Sequence, residues 1–95
     1  MGDLFFQWDK GKERANWRKH RVSFEEAASV FRDRYAIMLM DEVHSQTEDR
    51  WIMLGLSVKT RVLCVVHVER GAAIRIISAR RATLHEAETY AKNRW

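Results

Sequence analysis

Ninety-five residues allow one hydrophobic core between two packed layers, read as a single domain over residues 1–95. With 46% hydrophobic and 32% charged residues the composition is that of a folded chain, and the single cysteine, Cys64, excludes a disulfide framework or a Cys-rich zinc site. The net charge of +4 points to an anionic partner, while the lack of a long apolar run and of a basic N-terminal region around Asp3 leads us to expect a cytoplasmic protein without membrane span or secretory signal.

Leu4-Phe5-Phe6-Gln7-Trp8 reads as a short opening strand, because aromatics suit a pleated, half-buried surface. Asp9 fits an N-cap for a strongly polar helix over about Lys10 to His20. A second helix follows: Ser23 and Glu26 form a capping box, and Phe24, Ala27, Ala28 and Phe31 fall at i, i+3, i+4 and i+7, a core-facing stripe. Tyr35 to Met40 is a continuous apolar run, expected as a buried strand. Asp41 to Asp49 is a polar loop, and Trp51 to Leu56 the next strand, ending near Gly55. Val62 to Val68 is a strand, Gly71 lies in the turn, and Ile74 to Ala79 is the hairpin partner. Thr83 and Glu86 make a further capping box for a helix through about Lys92. This order predicts an α+β fold, an antiparallel sheet packed by two N-terminal helices and one C-terminal helix.

Charge is unevenly spread along these elements. Residues 1–34 carry +2, residues 35–69 carry −2 and residues 70–95 carry +4. Both ends are basic, so if they meet they form one positive surface. On the first helix Lys12, Asn16, Lys19 and His20 share a face at i, i+4, i+7 and i+8. Such a face suits phosphate contact with His20 as a proton carrier, although a solvated face has the same spacing. In the hairpin, matching the apolar faces Val62-Cys64-Val66-Val68 and Ile74-Ile76 sets Val68 opposite Ile74. That register places His67 opposite Arg75, with Glu69, Ala79 and Arg81 on the same face. It describes either acid–base groups for a phosphodiester or a cross-strand salt bridge on a wet sheet. Arg80-Arg81 ahead of the last helix read as an anion pocket at its N-terminus, or as a basic edge that deters aggregation. Glu86 and Tyr90 read as a packing pair, and His44 as a solvated loop residue. No histidine spacing suits a metal, so neither metal nor cofactor is expected.

These segments together resemble the BrnT family of toxins from BrnT/BrnA toxin–antitoxin systems. The matching stretches are Phe6-Gln7-Trp8-Asp9, Lys12, Asn16, Lys19-His20 and Val22-Ser23-Phe24-Glu25-Glu26-Ala27. Then come Asp41, His44-Ser45, Glu48, Arg50-Trp51, Gly55, Arg75-Ile76-Ile77-Ser78-Ala79-Arg80-Arg81-Ala82-Thr83, Glu86 and Tyr90. One departure is Arg21, where the family pattern usually has Gly. The resemblance implies a fold similar to RelE-type toxins and a metal-independent endoribonuclease that inhibits translation. It also implies a BrnA-type ribbon-helix-helix antitoxin as partner, with DNA met only through that antitoxin. Under that reading Lys12, Asn16, Lys19 and Arg75 contact RNA. His20, Lys19, Arg80 and Arg81 form the catalytic set, with His67 and Glu69 added by the register argument. The alternatives are a non-catalytic nucleic-acid-binding module and a corepressor subunit.

Overall fold

Leu63, Val65 and His67, opposite Ala79 and Ile76, with Ile74 beyond, supply one face of the central hairpin, aliphatic apart from the imidazole. The computed structural model describes residues 4–95, so the N-terminal reading at Asp3 lies outside the described residues. Five strands form one sheet: β1 (Phe5–Gln7), β2 (Ile37–Met40), β3 (Trp51–Leu56), β4 (Val62–Arg70) and β5 (Ala73–Arg81), in the order β1-β5-β4-β3-β2. The helices are α1 (Lys10–His20), α2 (Phe24–Ser29) and α3 (Leu84–Arg94). The fold is α+β, as expected. The sheet is mixed rather than purely antiparallel, because β1 crosses over and pairs parallel with β5, Phe6 opposite Ile74. No helix of the described residues is long and apolar enough to cross a membrane.

Both sheet faces are covered. Val22, Phe24, Ala27 and Val30 of the α2 region pack on Leu63, Val65, Ile76 and Ala79, all fully buried. On the opposite face Tyr90 of α3 packs with Leu54 and Cys64. Gly55 lets the first layer approach: a Cβ there would sit 2.8 Å from Val30 Cγ1. Asp33 ties the second helix layer down, accepting hydrogen bonds from the Leu56 N–H and the Tyr90 hydroxyl. Tyr90, read in the sequence as a packing partner of Glu86, also anchors its helix to Asp33.

The caps follow their sequence signals in part. Asp9 accepts from the Lys12 N–H (2.8 Å), and Thr83 with Glu86 forms the complete capping box. Ser23 accepts from the Glu26 N–H, but the Glu26 carboxylate turns inward to Ser57 and Arg61 instead of returning to the cap. The helix α1 ends with Arg21 in the left-handed region (φ 55°), a conformation that glycine adopts at lower cost.

Two expectations are corrected. Tyr35 to Met40 is not a buried strand: β2 is the sheet edge and leaves Met38, Leu39 and Met40 exposed. The hairpin register differs too. Arg70 pairs with Ala73 across a two-residue turn at Gly71 (φ +59°), one residue tighter than apolar matching implied. His67 therefore pairs with Ile76, and Val68 with Arg75. A bulge then leaves Ile77 unpaired, so that Ser78 opposes Val66 and Arg80 opposes Cys64.

Candidate functional site

The helix α1 has little apolar surface to hold it, and its attachment is polar. Asn16 donates from Nδ2 to the carbonyls of Ala79 (2.8 Å) and Val22 (3.0 Å), and its Oδ1 accepts from the Ala79 N–H (3.0 Å). The amide thus pairs with the edge of β5 as a neighbouring strand would, beyond the point where β1 ends. Asn16 is buried and its amide is occupied by backbone, so its expected role as an RNA contact is corrected to that of an anchor. What the anchor holds out is the rest of the face. Lys12, Lys19 and His20 line a shallow cavity of about 230 Å³ with Ile77 and Ser78, at the β5 bulge. The His20 imidazole is held below the ordinary histidine value, first by its burial and then by the Lys19 and Arg80 charges.

Ser78 also lines a second cavity of about 370 Å³, so the two adjoin. This second cavity is also lined by Asp41, His44, Arg50 and Arg80, together with Cys64 and Val66. Arg80 is held by a two-pronged ion pair with Glu86, 2.8 and 3.0 Å. That bond, outweighing burial, brings the Glu86 carboxyl down to about 2. Glu86 accepts from the Thr83 N–H as well, so the start of α3 carries its own carboxylate and is no free anion pocket. Burial raises the Cys64 thiol against the opposing Arg80 charge. Across the cavity, His44 Nδ1 stands 3.0 and 3.2 Å from the two Asp41 oxygens. The loop that carries it is closed on itself: Asp41 N–H donates to the Arg50 carbonyl, Ser45 Oγ to the Asp41 carbonyl, and Arg50 N–H to Ser45 Oγ.

The remaining expected residues scatter. His67 is fully buried beneath the helix layer, its ring edge-on to Phe31 with centroids 4.8 Å apart, and neither ring nitrogen has a hydrogen-bond partner. Burial holds its imidazole down, opposed first by the nearby Val65 backbone, which falls short of hydrogen-bond geometry, and then by the Glu69 charge. It has no access to a substrate, and its pairing with Arg75 is corrected. Glu69 and Arg81 do share the His67 side of the sheet, exposed beyond the core at its two ends. Arg75 is on the other side, in line with Ser78 and Arg80. Neighbouring residues on a strand face opposite ways, so Arg80 and Arg81 do not form a joint pocket. Sequence reasoning missed Asp41, His44 and Arg50 as a group. Their signals were the match of Asp41, His44-Ser45 and Arg50 to the family and the Asp41-x-x-His44 spacing; only the sheet order brings that loop to Arg80. Among the described residues no three His, Cys, Asp or Glu side chains converge as a metal-binding group.

The comparisons with known proteins agree with this architecture. A family model described as the ribonuclease toxin BrnT of type II toxin–antitoxin systems matches residues 8–86. The fold is similar to the 1.1 Å crystal structure of the Brucella abortus ribonuclease toxin BrnT, with a TM-score of 0.65 and 21% identity over 85% of this chain and 99% of that one. No curated protein matches the sequence.

Proposed function

Because the chain belongs to the BrnT family of ribonuclease toxins from type II toxin–antitoxin systems, we propose that it cleaves RNA without a metal ion, at the surface where α1 meets Arg80. The observation that carries this is the meeting of the two basic ends: Ser78 lies in both cavities, and the Arg80 charge reaches His20. RNA supplies its own nucleophile, the 2′-hydroxyl. The protein then has to orient that oxygen, take its proton and offset the charge growing on phosphorus. Arg80 and Lys19 provide the positive charge, with Lys12 and Arg75 on flanking phosphates. His20, kept neutral by burial and by Lys19 and Arg80, is the base. The products are a 2′,3′-cyclic phosphate and a 5′-hydroxyl.

The site is cationic, so the antitoxin that neutralises it presents an acidic segment. In this reading that partner is a BrnA-type ribbon-helix-helix protein, and RNA cleavage inhibits translation in the cytoplasm. The test is incubation of the purified protein with RNA in excess EDTA. Cleavage with cyclic-phosphate ends is expected. Loss of cleavage in EDTA contradicts the metal-free route, binding without cleavage at any metal concentration identifies a nucleic-acid-binding module, and neither identifies a corepressor subunit.

A further inference from the structure

The route above moves two protons, and His20 accounts for one. We propose that His44 is the second proton carrier, the general acid that protonates the departing 5′-oxygen, with Asp41 as its positioning residue. This rests on the ribonuclease reading of the Arg80 cavity and deepens it. Geometry comes first. His44 lines the same cavity as Arg80 and Arg50. With both Asp41 oxygens within 3.2 Å, Nδ1 is the donor to that carboxylate, and Nε2 has no protein partner among the described residues. The carboxylate side chain is 12% exposed and the imidazole 64%, so the pair is anchored at one end and open to a ligand at the other. The loop is braced by Ser45 and Arg50 at both ends, which makes it a fixed mount rather than a free coil.

The two histidines have different neighbours. Around His20 the charged neighbours, Lys19 and Arg80, are both positive and oppose a proton. Around His44 the cavity holds Arg50 and Arg80, and Asp41 touches the ring at Nδ1, which orients it and leaves Nε2 without a partner among the described residues. Two imidazoles that line adjoining cavities, one from α1 and one from the loop that runs from Asp41 to Arg50, with Arg80 in the wall of the second, are an arrangement that acid–base cleavage can use. In the step itself the 2′-oxygen bonds to phosphorus as His20 takes its proton, and Arg80 and Arg50 offset the added negative charge. The bond from phosphorus to the 5′-oxygen breaks, its electron pair stays on that oxygen, and the proton on His44 Nε2 completes the hydroxyl. His20 leaves the cycle protonated and His44 neutral, and exchange with water restores both.

The test uses two versions of one oligoribonucleotide that the wild-type protein cuts, one natural and one with sulfur in place of the leaving 5′-oxygen. A thiolate leaves without being protonated. His44→Ala should lose at least about a hundredfold in rate on the natural RNA and recover to within roughly tenfold of wild type on the sulfur version. His20→Ala should stay impaired on both. Asp41→Asn should lower kcat with KM little changed and show the same rescue by sulfur. Circular dichroism and melting confirm the fold of each variant, and His44→Gln serves as a second substitution that keeps the side chain polar. If folded His44→Ala and His44→Gln cut natural RNA at the wild-type rate, or gain nothing from sulfur, the assignment is overturned. If the wild-type protein cuts neither oligonucleotide nor any cellular RNA, the ribonuclease reading fails and the proposal with it.

Discussion

Replacing His67 with leucine should make the protein more stable and leave RNA cleavage intact. His67 is fully buried, and both ring nitrogens lack a partner. A buried polar group left unsatisfied costs about 1–3 kcal/mol, which an apolar side chain of similar volume recovers. Against this stands the edge-to-face contact with Phe31, worth roughly 0.5–1 kcal/mol. The net lies between about zero and 2.5 kcal/mol in favour of leucine, each kcal/mol raising Tm by roughly 4–8 °C for a domain of this size. The pH dependence sharpens the test. Burial holds the folded-state value of His67 below 6.5, so below that pH the unfolded chain binds a proton that the folded chain refuses. Wild-type stability therefore rises with pH through this window and falls as pH drops from about 6.5. His67→Leu lacks that loss, and its advantage should grow between pH 7.5 and pH 5. Urea denaturation followed by tryptophan fluorescence at the two pH values measures this, with RNA cleavage run in parallel. A variant less stable than wild type at both pH values refutes the reasoning on burial. A folded variant that no longer cuts RNA restores His67 to the site.

Asn16→Ala should cost about 2–4 kcal/mol in urea denaturation, because three hydrogen bonds go and the Ala79 backbone is left unpaired; an unchanged midpoint means α1 is held otherwise. Glu86→Gln should lower stability at neutral pH by about 1–2 kcal/mol. The fall from 4.5 to about 2 sets a ceiling near 3 kcal/mol, reduced because Arg80 is 40% exposed. In wild type that contribution is present above pH 4.5 and is lost as pH falls towards 2, so the two proteins should converge in acid. Arg21→Gly should raise stability by roughly 0.5–1 kcal/mol in thermal melting, since only glycine adopts φ 55° without strain; a loss would assign the position to the Arg21–Trp17 stacking contact instead.

Local signals in the sequence carried the elements well: Asp9, Ser23 and Thr83 start their helices, and the β4 and β5 segments were legible from aliphatic alternation. Long-range pairing was not legible. Nothing in Phe5 to Gln7 says that the strand runs parallel beside β5, and nothing in Tyr35 to Met40 says that an apolar run lies on the sheet edge. Register failed for a definable reason. Apolar matching favours the pairing that hides the most aliphatic surface, and it placed Ile74 opposite Val68. The Gly71 turn and the Ile77 bulge instead put Ile74 and Ile76 on the side of His67, drawing an imidazole into the core. The basic face of α1 and Arg80 were visible as charge, whereas Asn16 looked like their equal and is their support. His44 carried no weight alone; it acquires meaning from Asp41 beside it and from the sheet order that sets Arg80 across the cavity.

The central claim, that both basic ends serve one RNA-cleaving site, is tested most directly by kcat/KM for RNA cleavage in EDTA by four folded proteins: wild type, Lys19→Ala, Arg80→Ala and the double variant. Wild type should cleave. Arg80→Ala should lose about a hundredfold or more, and the double variant should lose less than the two single losses combined, because both side chains serve one phosphate. Arg81→Ala, on the opposite side of the strand, should lose far less than Arg80→Ala. A folded double variant that cuts RNA at the wild-type rate contradicts the claim.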